Sequence, residues 1–149
     1  MNKTKLKTSL FIVSSFLIPA IMMFCIYLSQ GIYWNSDTSP LLGDGYHQYV
    51  IFDTTLRNIL HGTDSLFYSF QSGLGINFYA LSSYYLGSFF SPLVYFFNAQ
   101  SMPNAVYLIT LLKFGAIGLS TYISLHGMFS KIPRSLVLTL STSFALMSF

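Results

Sequence analysis

A chain of 149 residues in which 53% are hydrophobic and only 7% charged excludes an ordinary water-soluble domain, where about a quarter of residues carry charge. Lipid must replace water over much of its surface. The net charge of +3 comes from five Lys and two Arg against four Asp and no Glu; it is small and gathers near predicted membrane ends, so it reads as topology and not as nucleic-acid affinity. The only cysteine, Cys25, excludes an intramolecular disulfide and a cysteine zinc site.

Lys3, Lys5 and Lys7 precede an uncharged apolar run over residues 10–28. At 1.5 Å per residue that run spans about 28 Å, close to the hydrocarbon thickness of a bilayer. A cleaved signal peptide has a shorter apolar core and an A-x-A-like site. Ser29-Gln30-Gly31 is a poor one, so the run is expected to be retained as the first span. Pro19 predicts a kink near its middle.

Residues 29–77 are too polar to span. They hold all four Asp and two of the three His. Within them, residues 50–61 read as an amphipathic helix stopped by Gly62, with Asp53 and Arg57 four apart on one face. Residues 78–97 are uncharged and long enough to span, but Gly87, Ser88, Ser91 and Pro92 cut them into two short halves. Their aromatic load predicts an interfacial or re-entrant segment. Residues 105–125 form the second strong span. Lys113 lies inside it, where a charge costs about 2.5–3.5 kcal/mol, so it should face protein or a wet cavity. Gly115 and Gly118 would admit a neighbouring helix.

The lysine cluster places the N-terminus (residues 1–9) in the cytoplasm. If 78–97 does not span, residues 29–104 form a large extracytoplasmic loop. Residues 126–134, with Lys131 and Arg134, then return to the cytoplasm, and 135–149 begin a third span, truncated at Phe149. The expectation is an all-α, polytopic, multi-pass protein of the cell membrane whose first partner is the lipid bilayer. Its outer loop contains amphipathic and interfacial helices.

The densest cluster of chemistry is Leu42-Gly43-Asp44-Gly45-Tyr46-His47-Gln48-Tyr49. Asp44 fits a helix N-cap. It also fits a base, since a capped carboxylate stays ionised. Asp37, seven residues earlier, is not explained by the cap. His47 with Asp44 would supply only two metal ligands, and a hydrogen-bonded loop histidine is the simpler reading. His61 reads as a helix C-terminal residue. No cofactor is called for, although a divalent metal remains compatible. In Gln71-Ser72-Gly73-Leu74-Gly75-Ile76-Asn77 the Gly-x-Gly lacks a preceding strand and a phosphate-binding lysine, so a tight turn is expected and not a nucleotide loop. Tyr84, Tyr85 and Tyr95 suit the headgroup level or the lining of a sugar or lipid path.

Taken in order, Gly43-Asp44, Gln48-Tyr49, Leu66-Phe67, Gly73-Leu74-Gly75-Ile76-Asn77-Phe78, Tyr84-Tyr85-Leu86 and Ser91-Pro92-Leu93 resemble the opening section of the YfhO family of bacterial membrane proteins. Members are much longer than this sequence, so the resemblance implies an N-terminal fragment. The family in turn resembles GT-C glycosyltransferases. These are multi-span enzymes whose long first outer loop carries an essential acid. The implied activity moves a sugar from a polyprenyl-phosphate-linked donor to an extracytoplasmic cell-wall polymer acceptor, such as the lipoteichoic acid of Gram-positive bacteria. On that resemblance Asp44 is the catalytic candidate, with Gln48, Tyr49 and Asp37 as substrate-binding candidates. A multi-span transporter or permease subunit is the alternative, with its essential polar groups at mid-membrane. A non-catalytic scaffold is the third.

Overall fold

The computed structural model describes residues 3–41, 43, 45–71, 74–129 and 131–147, with side chains from Lys7 onward. The chain is mostly helical. Its elements are α1 (Lys3–Ser29), α2 (Val50–Leu60), α3 (Phe78–Tyr85), α4 (Met102–Met128) and α5 (Arg134–Ala145), with short 3-10 turns at Ser91–Phe96 and Ala99–Ser101. Among the described residues the only β pairing is one isolated antiparallel bridge, Ser69 to Ile76. The stretches Lys7–Ser29 and Ala99–Met128 are long and apolar enough to cross a membrane. Both helices outrun the apolar segments that announce them. Hydropathy marks the part of a helix that suits hydrocarbon, whereas backbone hydrogen bonding carries the helix on into its polar flanks.

The chain divides into two compact units, Met1–Gln30 with Thr110–Phe149, and Gly31–Ile109. In the first, α1 stays helical through Pro19. A proline lacks the N–H that would bond the carbonyl four residues back, which here belongs to Ser15. That carbonyl and the fully buried Pro19 lie against Gly118 of α4, where an added Cβ would overlap the Ser15 oxygen and sit 2.6 Å from the proline ring. One turn earlier, an added Cβ at Gly115 would come within 2.8 Å of the Phe16 ring. The two glycines therefore admit α1 to close packing, and the carbonyl released by Pro19 is covered by backbone and not by lipid. Ser15, itself fully buried, turns its hydroxyl back to the Ile12 carbonyl at 2.8 Å. Phe11 stacks parallel to Tyr122 at 6.5 Å between ring centroids. Helix α5 also packs on α1, and its Val137, Ser141 and Ala145 are buried on one face at i, i+4 spacing. The outward residues of α1 are large and apolar: Leu10, Val13, Leu17, Ile21 and Leu28 are all exposed.

The second unit gathers its buried apolar side chains into two clusters. Val94, Met102, Ala105 and Ile109 form one cluster, joined by Val50, Leu56, Phe90, Leu93 and Phe97. Phe52, Phe78 and Leu86 form another, joined by Leu56, Ile59, Leu66, Leu81 and Tyr85. Leu56 belongs to both, so α2 is the element around which the unit is built. Arg57 fastens it by donating from Nε to the Phe97 carbonyl at 2.9 Å and from Nη1 to Asn58 Oδ1 at 3.0 Å. Asp53, placed by its spacing on a helix face with Arg57, is itself buried. Residues 78–97 are two short helices with an irregular joint at Gly87–Ser88. At eight residues α3 rises only about 12 Å, well short of a bilayer. The start of the unit is tied to its end by a reciprocal pair. The Asn35 amide donates to Asn104 Oδ1 at 3.0 Å, and Asn104 Nδ2 donates to Asn35 Oδ1 at 2.6 Å. Asn35 holds a left-handed backbone, φ 60°, which Asn tolerates better than other side chains.

Candidate functional site

Asp44 lies outside the described residues, and the geometry around it is built from its neighbours. The Gly43 carbonyl accepts from the amides of Tyr46 and His47 at 3.1 and 3.2 Å, and Gly43 has φ 55°. From Gly45 the chain winds through a π-helical turn, Gly45–Tyr49, directly into α2. The helical region thus begins five residues before the apolar periodicity does. By Tyr49, the residue ahead of α2, the backbone is already helical, with φ −62° and ψ −45°. Single π turns widen a helix and re-aim its side chains, and they are frequent at functional sites.

That turn aims Gln48 and Tyr49 at Tyr84 and Tyr85 from the end of α3. Together the four side chains line an open cleft of about 430 Å³. Tyr85 is its pivot. Its ring meets Tyr49 edge-on at 5.6 Å, Tyr84 edge-on at 4.8 Å, and Phe52 beneath at 5.1 Å. Tyr84 stands free of the body at 82% exposure within the chain. The second wall is positioned by the motif upstream of it. Ser69 and Ile76 exchange backbone hydrogen bonds at 3.0 and 2.9 Å. Gly75 turns the chain at φ 108°, a backbone that disfavours any side chain, with the Tyr68 ring end packed against it. Asn77 then caps α3 by accepting from the Ala80 amide at 3.4 Å. The described residues of the two glycine-containing stretches thus set the two walls of one cleft. Gly73 and Ser72 lie outside the described residues.

The other candidates fall elsewhere. Asp37 is exposed in a turn held by Ser36, whose hydroxyl donates to the Thr38 carbonyl at 2.6 Å and accepts from the Tyr33 amide at 3.1 Å. It does not line the tyrosine cleft. His47 is exposed and meets Tyr46 edge-on. His61 stacks on Tyr95 with 4.4 Å between rings and places Nδ1 2.8 Å from the Arg57 carbonyl, which takes Tyr95 away from the cleft's lining. Among the described residues no three His, Cys, Asp or Glu side chains gather as metal ligands do. Sequence reasoning missed a second, larger cleft of about 560 Å³ at the α3 joint, lined in part by Ser82, Ser83, Ser88 and Ser91. Ser82 and Ser83 donate to the Tyr79 carbonyl at 2.8 and 3.0 Å, which leaves the lone pairs of their oxygens as acceptors. The only sequence signal for it was the run of serines around the break.

Two long apolar helices, small residues at their contact and large apolar side chains turned outward suit a membrane protein. The chain belongs to the YfhO family of bacterial membrane proteins, whose family model matches residues 14–149. No significant match was found among curated proteins or solved structures.

Proposed function

We propose that the chain forms part of a GT-C-type membrane glycosyltransferase. It would move a sugar from a polyprenyl-phosphate donor to an extracytoplasmic cell-wall polymer such as lipoteichoic acid. One observation carries the reading. Gln48 and Tyr49, the neighbours of Asp44, share an aromatic-walled cleft with Tyr84 and Tyr85. Sugar rings pack their apolar C–H faces on aromatic rings, and amide and phenol groups beside the rings serve the hydroxyls.

In this reading residues 10–28 carry the chain out, 29–104 lie outside, and 105–125 return it, so that Lys131 and Arg134 face the cytoplasm. Segment 78–97 lies in the outer interface. Asp44, flanked by Gly43 and Gly45, is the base. As the acceptor oxygen forms its bond to the anomeric carbon, the carboxylate takes the hydroxyl proton, and the C–O bond to the donor phosphate breaks with its electron pair leaving on the phosphate. Arg57, the only Lys or Arg between residues 29 and 104, already donates to Phe97 and Asn58. No phosphate role is assigned to this arginine.

The test compares Asp44→Asn with Asp37→Asn in the whole protein, reading sugar on the wall polymer and protein abundance in the membrane. Asp44→Asn should abolish transfer at normal abundance, and Asp37→Asn should retain it. Full transfer in Asp44→Asn moves the base to Asp37. The transporter reading draws on one observation, the exposure of Lys113 at the middle of α4. It predicts that Lys113→Ala, and not Asp44→Asn, abolishes function.

A further inference from the structure

Lys113 is exposed within the chain, on α4, about 16 Å from the Met102 end of the helix and about 22 Å from its Met128 end. Snorkelling serves lysines near helix ends. At this depth the four-carbon stem falls short of either headgroup layer. Lys113 begins a seam that continues through Ile117, Ser120, Ser124 and Gly127, at alternating spacings of four and three, the spacing of one helix-packing face. All but Ile117 are exposed. The Ser120 hydroxyl is already satisfied by the Ile117 carbonyl at 3.0 Å, and a side chain at Gly127 would meet open space. The face that holds α1, with Gly115, Gly118 and Tyr122, lies roughly opposite around the helix.

Charge narrows what can cover this seam. All four acids of the chain are at positions 37, 44, 53 and 64, so α1, α4 and α5 contain none. A second copy docked seam to seam would bring another lysine and no carboxylate. Lipid phosphates sit at the headgroup layer, not at this depth. Resting on the reading that α4 spans the bilayer, we propose that the Lys113 seam docks a transmembrane helix from outside these 149 residues, one that carries an Asp or Glu near its midpoint. The carboxylate and ammonium meet in the low dielectric of the hydrocarbon. The small residues at 120, 124 and 127 let the backbones approach.

The 149-residue chain, reconstituted in phosphatidylcholine vesicles, is titrated by energy transfer with a Leu/Ala transmembrane peptide carrying one central Asp. A peptide with Leu at the same position is the control. Association should be at least tenfold tighter for the Asp peptide, and Lys113→Leu should remove the difference. Equal binding of the two peptides, or a preference that survives Lys113→Leu, overturns the proposal. Single cysteines at Lys113 and Ala116 in a Cys25→Ser background separate this failure from that of the span. Neither should react with a water-soluble thiol reagent. Reaction at Lys113→Cys alone means a wet cavity in a spanning helix and overturns the pairing only. Reaction at both means that α4 does not span.

Discussion

The two units differ in how small the groups at their helix contacts are. At the contact of α1 with α4 the buried groups are the compact Ser15, Pro19, Gly115 and Gly118 and one large ring, Tyr122, while leucines and isoleucines of α1 point outward. In the Gly31–Ile109 unit two clusters of larger apolar side chains, with Phe52, Phe78, Val94 and Met102 among them, are buried together with Thr55, Ser69 and Ser91. Lipid gives no hydrophobic reward for hiding a leucine, so helices in it meet through small residues and close backbone approach. Water does give that reward, and the two apolar clusters of the second unit fit the proposed extracytoplasmic placement. The burial is incomplete: Phe67, Phe70, Phe89 and Phe96 remain largely exposed, which the proposed placement at the outer membrane surface would accommodate.

The contrast is broken most forcefully by truncating one large side chain in each unit. Phe78→Ala removes a ring that is 1% exposed and should cost about 3–5 kcal/mol. Leu17→Ala, on the outward face of α1, should change stability by less than about 0.5 kcal/mol. Thermal unfolding in detergent micelles reads both, and a large loss for Leu17→Ala would mean that the face is packed and not solvated by lipid. The converse pair adds bulk. Gly118→Leu, driven into the Ser15 carbonyl and Pro19, should cost about 1–3 kcal/mol, whereas Gly127→Leu, which meets open space, should be near neutral. A smaller effect is expected at the polar tie of the second unit. Asn104→Ala removes both hydrogen bonds to Asn35, worth about 1–2 kcal/mol together. Faster hydrogen exchange at the Asn35 amide checks it, and unchanged exchange would show that the tie is not formed.

The apolar runs at 10–28 and 105–125, the break at Gly87–Pro92, the helix stop at Gly62 (φ 74°) and the small residues at 115 and 118 were legible, because each is written in local composition. The π-helical entry to α2 was not, since Gly-Tyr-His-Gln-Tyr has no apolar period. Nor was the Asn35–Asn104 tie, which joins residues far apart in sequence. The cleft was half legible. Gln48 and Tyr49 drew notice from their position beside Asp44, and Tyr84 and Tyr85 from their aromatic character. Their meeting depends on the fold of α2 against α3, which no local pattern encodes. The burial of Asp53 was hidden for the same reason: spacing finds a helix face, and tertiary packing decides whether that face is wet.

The central proposal is that residues 29–104, which include the tyrosine cleft, lie on the outer side of the membrane. Single cysteines at Ser65, exposed in that stretch, and at Ser130, after α4, in a Cys25→Ser background, test it in intact cells with an impermeant thiol reagent. The account predicts labelling at Ser65→Cys and none at Ser130→Cys until the cells are permeabilised. Labelling of Ser130→Cys in intact cells, or protection of Ser65→Cys, would contradict it.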